Sequence, residues 1–166
     1  MLKYGSSLSY LNSFMIAVHG THILTCGETG SGKSVLVQGF LTRMNPDTSN
    51  SLQAAFPAHT AAKNLQALLE SKLDKLRKNL LGAPPGRQTV IFVDDINMPA
   101  LEVYGAQPPI ELVRQTLSQG GFYDLKKLFF KKVQNTSFIA ACGPPGGGRN
   151  AITPRLVRHF NLLWMG

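Results

Sequence analysis

Eight consecutive residues, Gly27, Glu28, Thr29, Gly30, Ser31, Gly32, Lys33 and Ser34, carry the strongest chemical signal in this sequence. Their pattern, GxxxxGK[ST], is that of a loop built to hold phosphate. Glycines permit positive φ and let backbone N–H groups come against phosphate oxygens. Lys33 supplies a flexible cation for β- and γ-phosphates. Ser34 supplies a hydroxyl for Mg2+, which favours hard oxygen ligands. A helix opening here directs the positive end of its dipole at the same anion. The bound species this predicts is ATP (or ADP) with Mg2+. The competing reading, a glycine-rich turn with an accidental Lys-Ser, does not explain the short apolar run before the motif or the helical pattern after it.

The second signal is Val90-Ile91-Phe92-Val93-Asp94-Asp95. Four apolar residues ending in an acid place a carboxylate at the C-terminal edge of a sheet, where open α/β folds bind their ligands. Asp94 then suits a Mg2+ shell. Asp95 stands where a hydrolytic P-loop enzyme usually has Glu to polarise the attacking water. Aspartate is one methylene shorter, and a general base must come within about 2.6–3.2 Å of its proton. Slow hydrolysis and binding without turnover both follow from that reach. Read alone, the same stretch is equally a strand ending in a solvated Asp-Asp turn.

Other chemistries find less support. Cys26 and Cys142 are far apart in the chain and neither has a partner at CxxC spacing, so zinc is not indicated. Both are expected to be buried free thiols in a reducing compartment. No Ser, His and Asp fall in a recognisable hydrolase order. The net charge of +8 raises nucleic acid as a partner. However, the cations are scattered: Lys72, Lys75, Arg77 and Lys78 on one predicted helix, Lys126, Lys127, Lys131 and Lys132 in a hairpin, Arg149, Arg155 and Arg158 near the end. Aromatic residues do not interleave them as single-strand binding requires. Solvated faces or an acidic protein neighbour fit better, and nucleic acid is not expected. No apolar run approaches the ~18–20 residues of a membrane helix, and Phe14–Val18 is too short for a signal-peptide core.

The elements that must position these residues alternate. Residues 1–9 are small and polar and are expected to be loose; Tyr10–Val18 suits a short helix. Predicted strands are His22–Thr25, Leu52–Phe56, Thr89–Val93, Thr136–Ala141 and Phe160–Trp164. Val35–Met44 reads as a helix stopped by Asn45-Pro46. Thr60 is the expected N-cap of a second, whose Leu65, Leu68, Leu69, Leu73 and Leu76 share one face. Pro108 opens a third that Gly120-Gly121 closes. Phe122–Val133 reads as a hairpin and Thr153-Pro154 as the start of a short helix through Arg158. The 166 residues are enough for one core, and the alternation predicts a single α/β domain with a parallel sheet covered on both faces.

Three segments, Phe92–Pro99, Tyr104–Gln115 and Gly143–Asn150 followed by Thr153–Asn161, resemble the dynein heavy chain family. Together they resemble the third AAA+ module of its motor ring in the axonemal (ciliary) version, a resemblance that runs from about Tyr10 onward. The resemblance implies a three-layer P-loop NTPase, the AAA+ large subdomain, with a five-stranded parallel sheet. Counted in chain order, its strands lie 5-1-4-3-2. It implies no lid subdomain within these residues, so the chain reads as a fragment of a longer polypeptide. Lys33 and Ser34 would hold phosphate and Mg2+, and Asp94 and Asp95 would be the paired acids. Gly143 would fall at the sensor-one position, where an Asn side chain is common. Arg155, or alternatively Arg158, would be an arginine finger reaching a neighbour's nucleotide. Implied partners are neighbouring AAA+ modules of the same heavy chain. Through the full-length protein they extend to dynein intermediate and light chains and microtubules, in the cytoplasm, cytoskeleton and ciliary or flagellar axoneme. Three activities stay open: a regulatory module with slow hydrolysis, a nucleotide-binding module without turnover, and a stand-alone P-loop kinase or NTPase.

Overall fold

The computed structural model describes residues 21–124 and 128–165. The expected loose segment at 1–9 and short helix at Tyr10–Val18 lie outside them. In chain order the elements are β1 (Ile23–Gly27), α1 (Lys33–Arg43), β2 (Ser49–Ala55), α2 (Ala62–Lys72), β3 (Asp74–Arg77), β4 (Leu80–Gly82) and β5 (Gln88–Asp94). Then come α3 (Pro108–Gln119), β6 (Gly121–Tyr123), β7 (Phe130–Gln134), β8 (Thr136–Cys142), α4 (Pro154–Val157) and β9 (Asn161–Met165).

Five strands pair in parallel in the order β9-β1-β8-β5-β2. These are the five predicted strands, in the predicted arrangement. Residues Val90–Val93 are buried throughout because β5 is covered on both sides. Val90 and Phe92 face Ile23, Ile139 and the α1 residues Leu36, Val37 and Phe40. Ile91 and Val93 belong to the other face, with Leu65, Leu69, Ile110, Val113 and Phe122. One pleated strand thus feeds two cores, and the three-layer architecture follows from its alternation. Helix α3 keeps its predicted bounds, with Pro108 at its start and Gly120 at φ 67° in the left-handed cap.

Two local expectations are corrected. The N-cap of α2 is Ala61, and Thr60 instead donates its hydroxyl to Pro57 O at 2.7 Å, closing the preceding turn. The helix also stops at Lys72, so Leu76 lies on β3 and the cations after Lys72 leave the helical face. Residues 74–82 form an antiparallel pair whose second strand adds in parallel to β7, making a four-stranded sheet β3-β4-β7-β6. Pairing of β3 with β4, which β7 anchors in turn, overrides the helical spacing of the leucines. At Gly82, φ is 136° and a Cβ would come within 2.0 Å of Gln134 O, so only glycine allows β4 this close to β7. The predicted hairpin is present as β6 and β7. Its Lys131 is largely buried, with Nζ 2.6 Å from Asp124 and 3.0 Å from Glu70, and so is not on a solvated basic face.

His22, entering β1, accepts the Phe138 N–H at Nδ1 (3.1 Å) and lies edge-on to Phe138 and Phe160. Burial, reinforced by the nearby His159, pulls its pKa down to about 4 from 6.5. The unfolded chain therefore takes up this proton first as pH falls. Stability is complete above pH ~6.5 and declines towards pH ~4 by roughly 2–3 kcal/mol. Thermal unfolding of the native sequence and of His22→Gln between pH 7 and 4 checks this. The native midpoint is expected to fall more steeply, and parallel curves would remove the assignment.

Candidate nucleotide-phosphate site

The site begins where β1 ends. A Cβ on Gly27 would meet Met165 O of the neighbouring strand at 2.2 Å, so the strand can leave the sheet here only as glycine. Gly30 and Gly32 take φ of 86° and 84°, and Gly32 is the residue from which α1 starts. Lys33 is buried to 9% exposure, and its ammonium donates to Gly27 O (2.8 Å), Glu28 O (2.6 Å) and Ser31 Oγ (3.3 Å). One cation thus gathers the loop around itself, and a phosphate oxygen would exchange those neutral acceptors for an anionic one.

At the tip of β5, Asp94 Oδ1 accepts the Ser34 hydroxyl at 2.8 Å and the Asp95 N–H at 3.1 Å. The sequence-predicted metal pair, 60 residues apart in the chain, is therefore in contact. Ser34 Oγ and Asp94 Oδ1 are both hard oxygens beside a cationic loop, a donor set that fits Mg2+. The ion, when held there, supplies charge neutralisation at the phosphates.

Asp95 turns the chain away from the sheet at φ 48°, a left-handed value that a short polar side chain tolerates. Its carboxylate is gripped by Arg149 through two near-parallel contacts, Nε–Oδ1 3.1 Å and Nη2–Oδ2 3.3 Å. In the sequence Arg149 is one of the scattered cations. Asn97 holds its loop, donating through Nδ2 to Gly143 O (2.9 Å) and Asn150 O (3.0 Å), while Asn150 donates to Pro99 O (2.8 Å). Gly143 makes the arrangement possible. A Cβ there would come within 2.9 Å of Arg149 Cδ, so the side chain missing from the predicted sensor position leaves room for the arginine. The usable signal in the sequence was that glycine, with an arginine six residues on.

Arg155 and Arg158 are exposed on and just after α4. Among the described residues neither forms an ion pair with the site; Arg158 Nε contacts His159 at 3.4 Å. The structure does not bring them to this chain's own phosphate loop. Of the two cysteines, Cys142 is buried as expected, but Cys26 is only partly so. Their sulfurs are 3.3 Å apart.

A family model described as the P-loop-containing dynein motor region matches residues 6–166. The chain belongs to that dynein family. It is 48% identical to human axonemal dynein heavy chain 6 over 98% of its length, covering 4% of that protein. Mouse axonemal dynein heavy chain 1 is 50% identical over 94% of the chain, again 4% of the relative. For rat axonemal heavy chain 12 the values are 46%, 87% and 5%. The chain thus spans a small fraction of the length of these relatives. Among solved structures, a RuvB mutant from Thermotoga maritima superposes with a TM-score of 0.58 at 18% identity, over 96% of this chain and 42% of that one. That likeness is one of fold alone, an α/β P-loop fold built on a parallel sheet.

Proposed function

We propose that this chain is an ATP-binding AAA+ module of an axonemal dynein motor ring, the third of six, acting as a regulatory site with slow hydrolysis. All 166 residues then form one large α/β subdomain. Residues Gly27–Ser34 cradle the phosphates, and Ser34 and Asp94 hold Mg2+. Asp95 is the hydrolytic carboxylate. Arg155 or Arg158 serves the nucleotide of an adjacent module. Within the whole protein the module's partners are its ring neighbours, and through the heavy chain intermediate and light chains and microtubules of the ciliary axoneme.

One observation carries the regulatory reading. Lys33 sits in the loop and Ser34 on Asp94, whereas the base is short and tied to an Arg149 that packs over Gly143. A carboxylate whose two oxygens are both occupied by a guanidinium must release that contact before it can orient an attacking water. The same ion pair favours a second reading, in which nucleotide is an interface ligand and allosteric signal with no turnover.

The test separates binding from chemistry. The 166-residue chain is expected to bind Mg-ATP by calorimetry yet to turn it over negligibly, because the finger that completes the transition-state charge comes from another module. Robust hydrolysis by the pure monomer would instead favour a stand-alone NTPase. Turnover in the complete ring distinguishes slow hydrolysis from none.

A further inference from the structure

We propose that Cys26 and Cys142 are a reversible oxidation site, closing to a disulfide across the β1–β8 seam when the chain meets a peroxide. The two residues are register partners on adjacent parallel strands. Their side chains therefore emerge on the same face, and the Cys142 thiol donates to Cys26 Sγ at 3.3 Å. A disulfide has S–S near 2.05 Å, so the sulfurs must approach by only about 1.2 Å, within reach of small side-chain rotations. Both line an open, mainly apolar cleft of about 380 Å3 with Pro144, Ile152, Leu162 and Trp164. Trp164 and Leu162 are exposed at its edge. A small neutral oxidant can enter such a cleft, and the partly exposed Cys26 meets it there.

The pair is chemically asymmetric. The hydrogen bond from Cys142 lowers the Cys26 pKa to about 7 against the opposing effect of burial, with help from the Lys33 charge. The same contact and burial push the Cys142 thiol up. Cys26, the partly exposed sulfur, is the attacking thiolate, and the buried Cys142 is the resolving thiol. Cys26 thiolate attacks one peroxide oxygen, the O–O bond breaks, and with one proton the products are the sulfenic acid and water. The Cys142 sulfur then displaces hydroxide from that sulfenic acid, and its thiol proton leaves in a second water. In sum, two thiols and one hydrogen peroxide give one disulfide and two waters. The bond would fasten the residue before Gly27 to the residue before Gly143, and so join the roots of the Lys33 loop and the Arg149 loop. The inference does not depend on whether nucleotide is hydrolysed.

The experiment treats the 166-residue chain with hydrogen peroxide and dimedone together, which sets ring closure against capture of the sulfenic acid. In the folded chain the sulfurs are pre-positioned. In guanidinium they are ends of a 116-residue separation. Non-reducing peptide mapping should show one Cys26–Cys142 cross-link, reversed by dithiothreitol and exceeding the dimedone adduct by about tenfold. In denaturant that ratio should invert. Cys142→Ser should stop at a dimedone-trapped Cys26. A native chain in which the adduct dominates, in which Cys26 goes on to sulfinic acid while Cys142 stays a thiol, or in which only cross-links between chains form, would overturn the proposal.

Discussion

Replacing Lys33 by Ala is expected to weaken Mg-ATP binding by a factor on the order of 100 to 1,000, because charge-assisted hydrogen bonds to phosphate contribute roughly 1.5–3 kcal/mol each. Two losses add. The triphosphate loses its one buried ammonium partner within the loop. The loop itself loses the cation that gathers Gly27 O, Glu28 O and Ser31 Oγ, so its N–H groups are no longer held in the cradle. Lys33→Arg should not rescue fully, since a planar guanidinium cannot take the place of a compact ammonium with three contacts inside the loop. Calorimetry with Mg-ATP on native, Ala and Arg forms reads the effect directly. Unchanged affinity in the Ala variant would mean that the loop binds something else or nothing.

The geometry of the phosphate-loop half of this candidate site was legible because it is local. Eight contiguous residues fix where the glycines, the ammonium and the hydroxyl fall. A β-branched run ending in Asp94 fixes where the acid falls, and parallel pairing then brings Ser34 and Asp94 to 2.8 Å. The surroundings of Asp95 were not legible, because they are made by long-range contacts between loops. Arg149 and Asp95 are separated by 54 residues and meet only because Asn97 ties down both ends of the Gly143–Asn150 loop. Cys26 and Cys142 were read as unrelated thiols for a similar reason: only the β1–β8 register makes them neighbours. The second sheet escaped notice because leucines at helical spacing continue past Lys72. What ends that helix is not a breaker in the sequence but a pairing edge offered by β4, which is itself held in parallel by β7.

Asp95→Glu, introduced into a complete ring, is expected to raise turnover at this site by a factor on the order of 100, the lower end of what a well-placed general base contributes. The added methylene carries the carboxylate further from the backbone, and a general base must come within about 2.6–3.2 Å of its proton. Reach is only part of the argument. Asp95 meets Arg149 fork to fork, and that pairing occupies the oxygens that would take a proton from water. A longer acid on the same left-handed backbone carries its oxygens beyond the present contact distances. Arg149→Gln alone should therefore give a smaller gain than Asp95→Glu: it releases the carboxylate without lengthening it. Combining the two should show non-additivity, because both changes act on one contact. The measurement is single-turnover hydrolysis with the other ring sites blocked. Equal or lower turnover in the Glu form would show that neither carboxylate length nor its tie to Arg149 limits the chemistry. The restraint would then lie in the glycine at position 143, which cannot orient a water with a side chain it does not have.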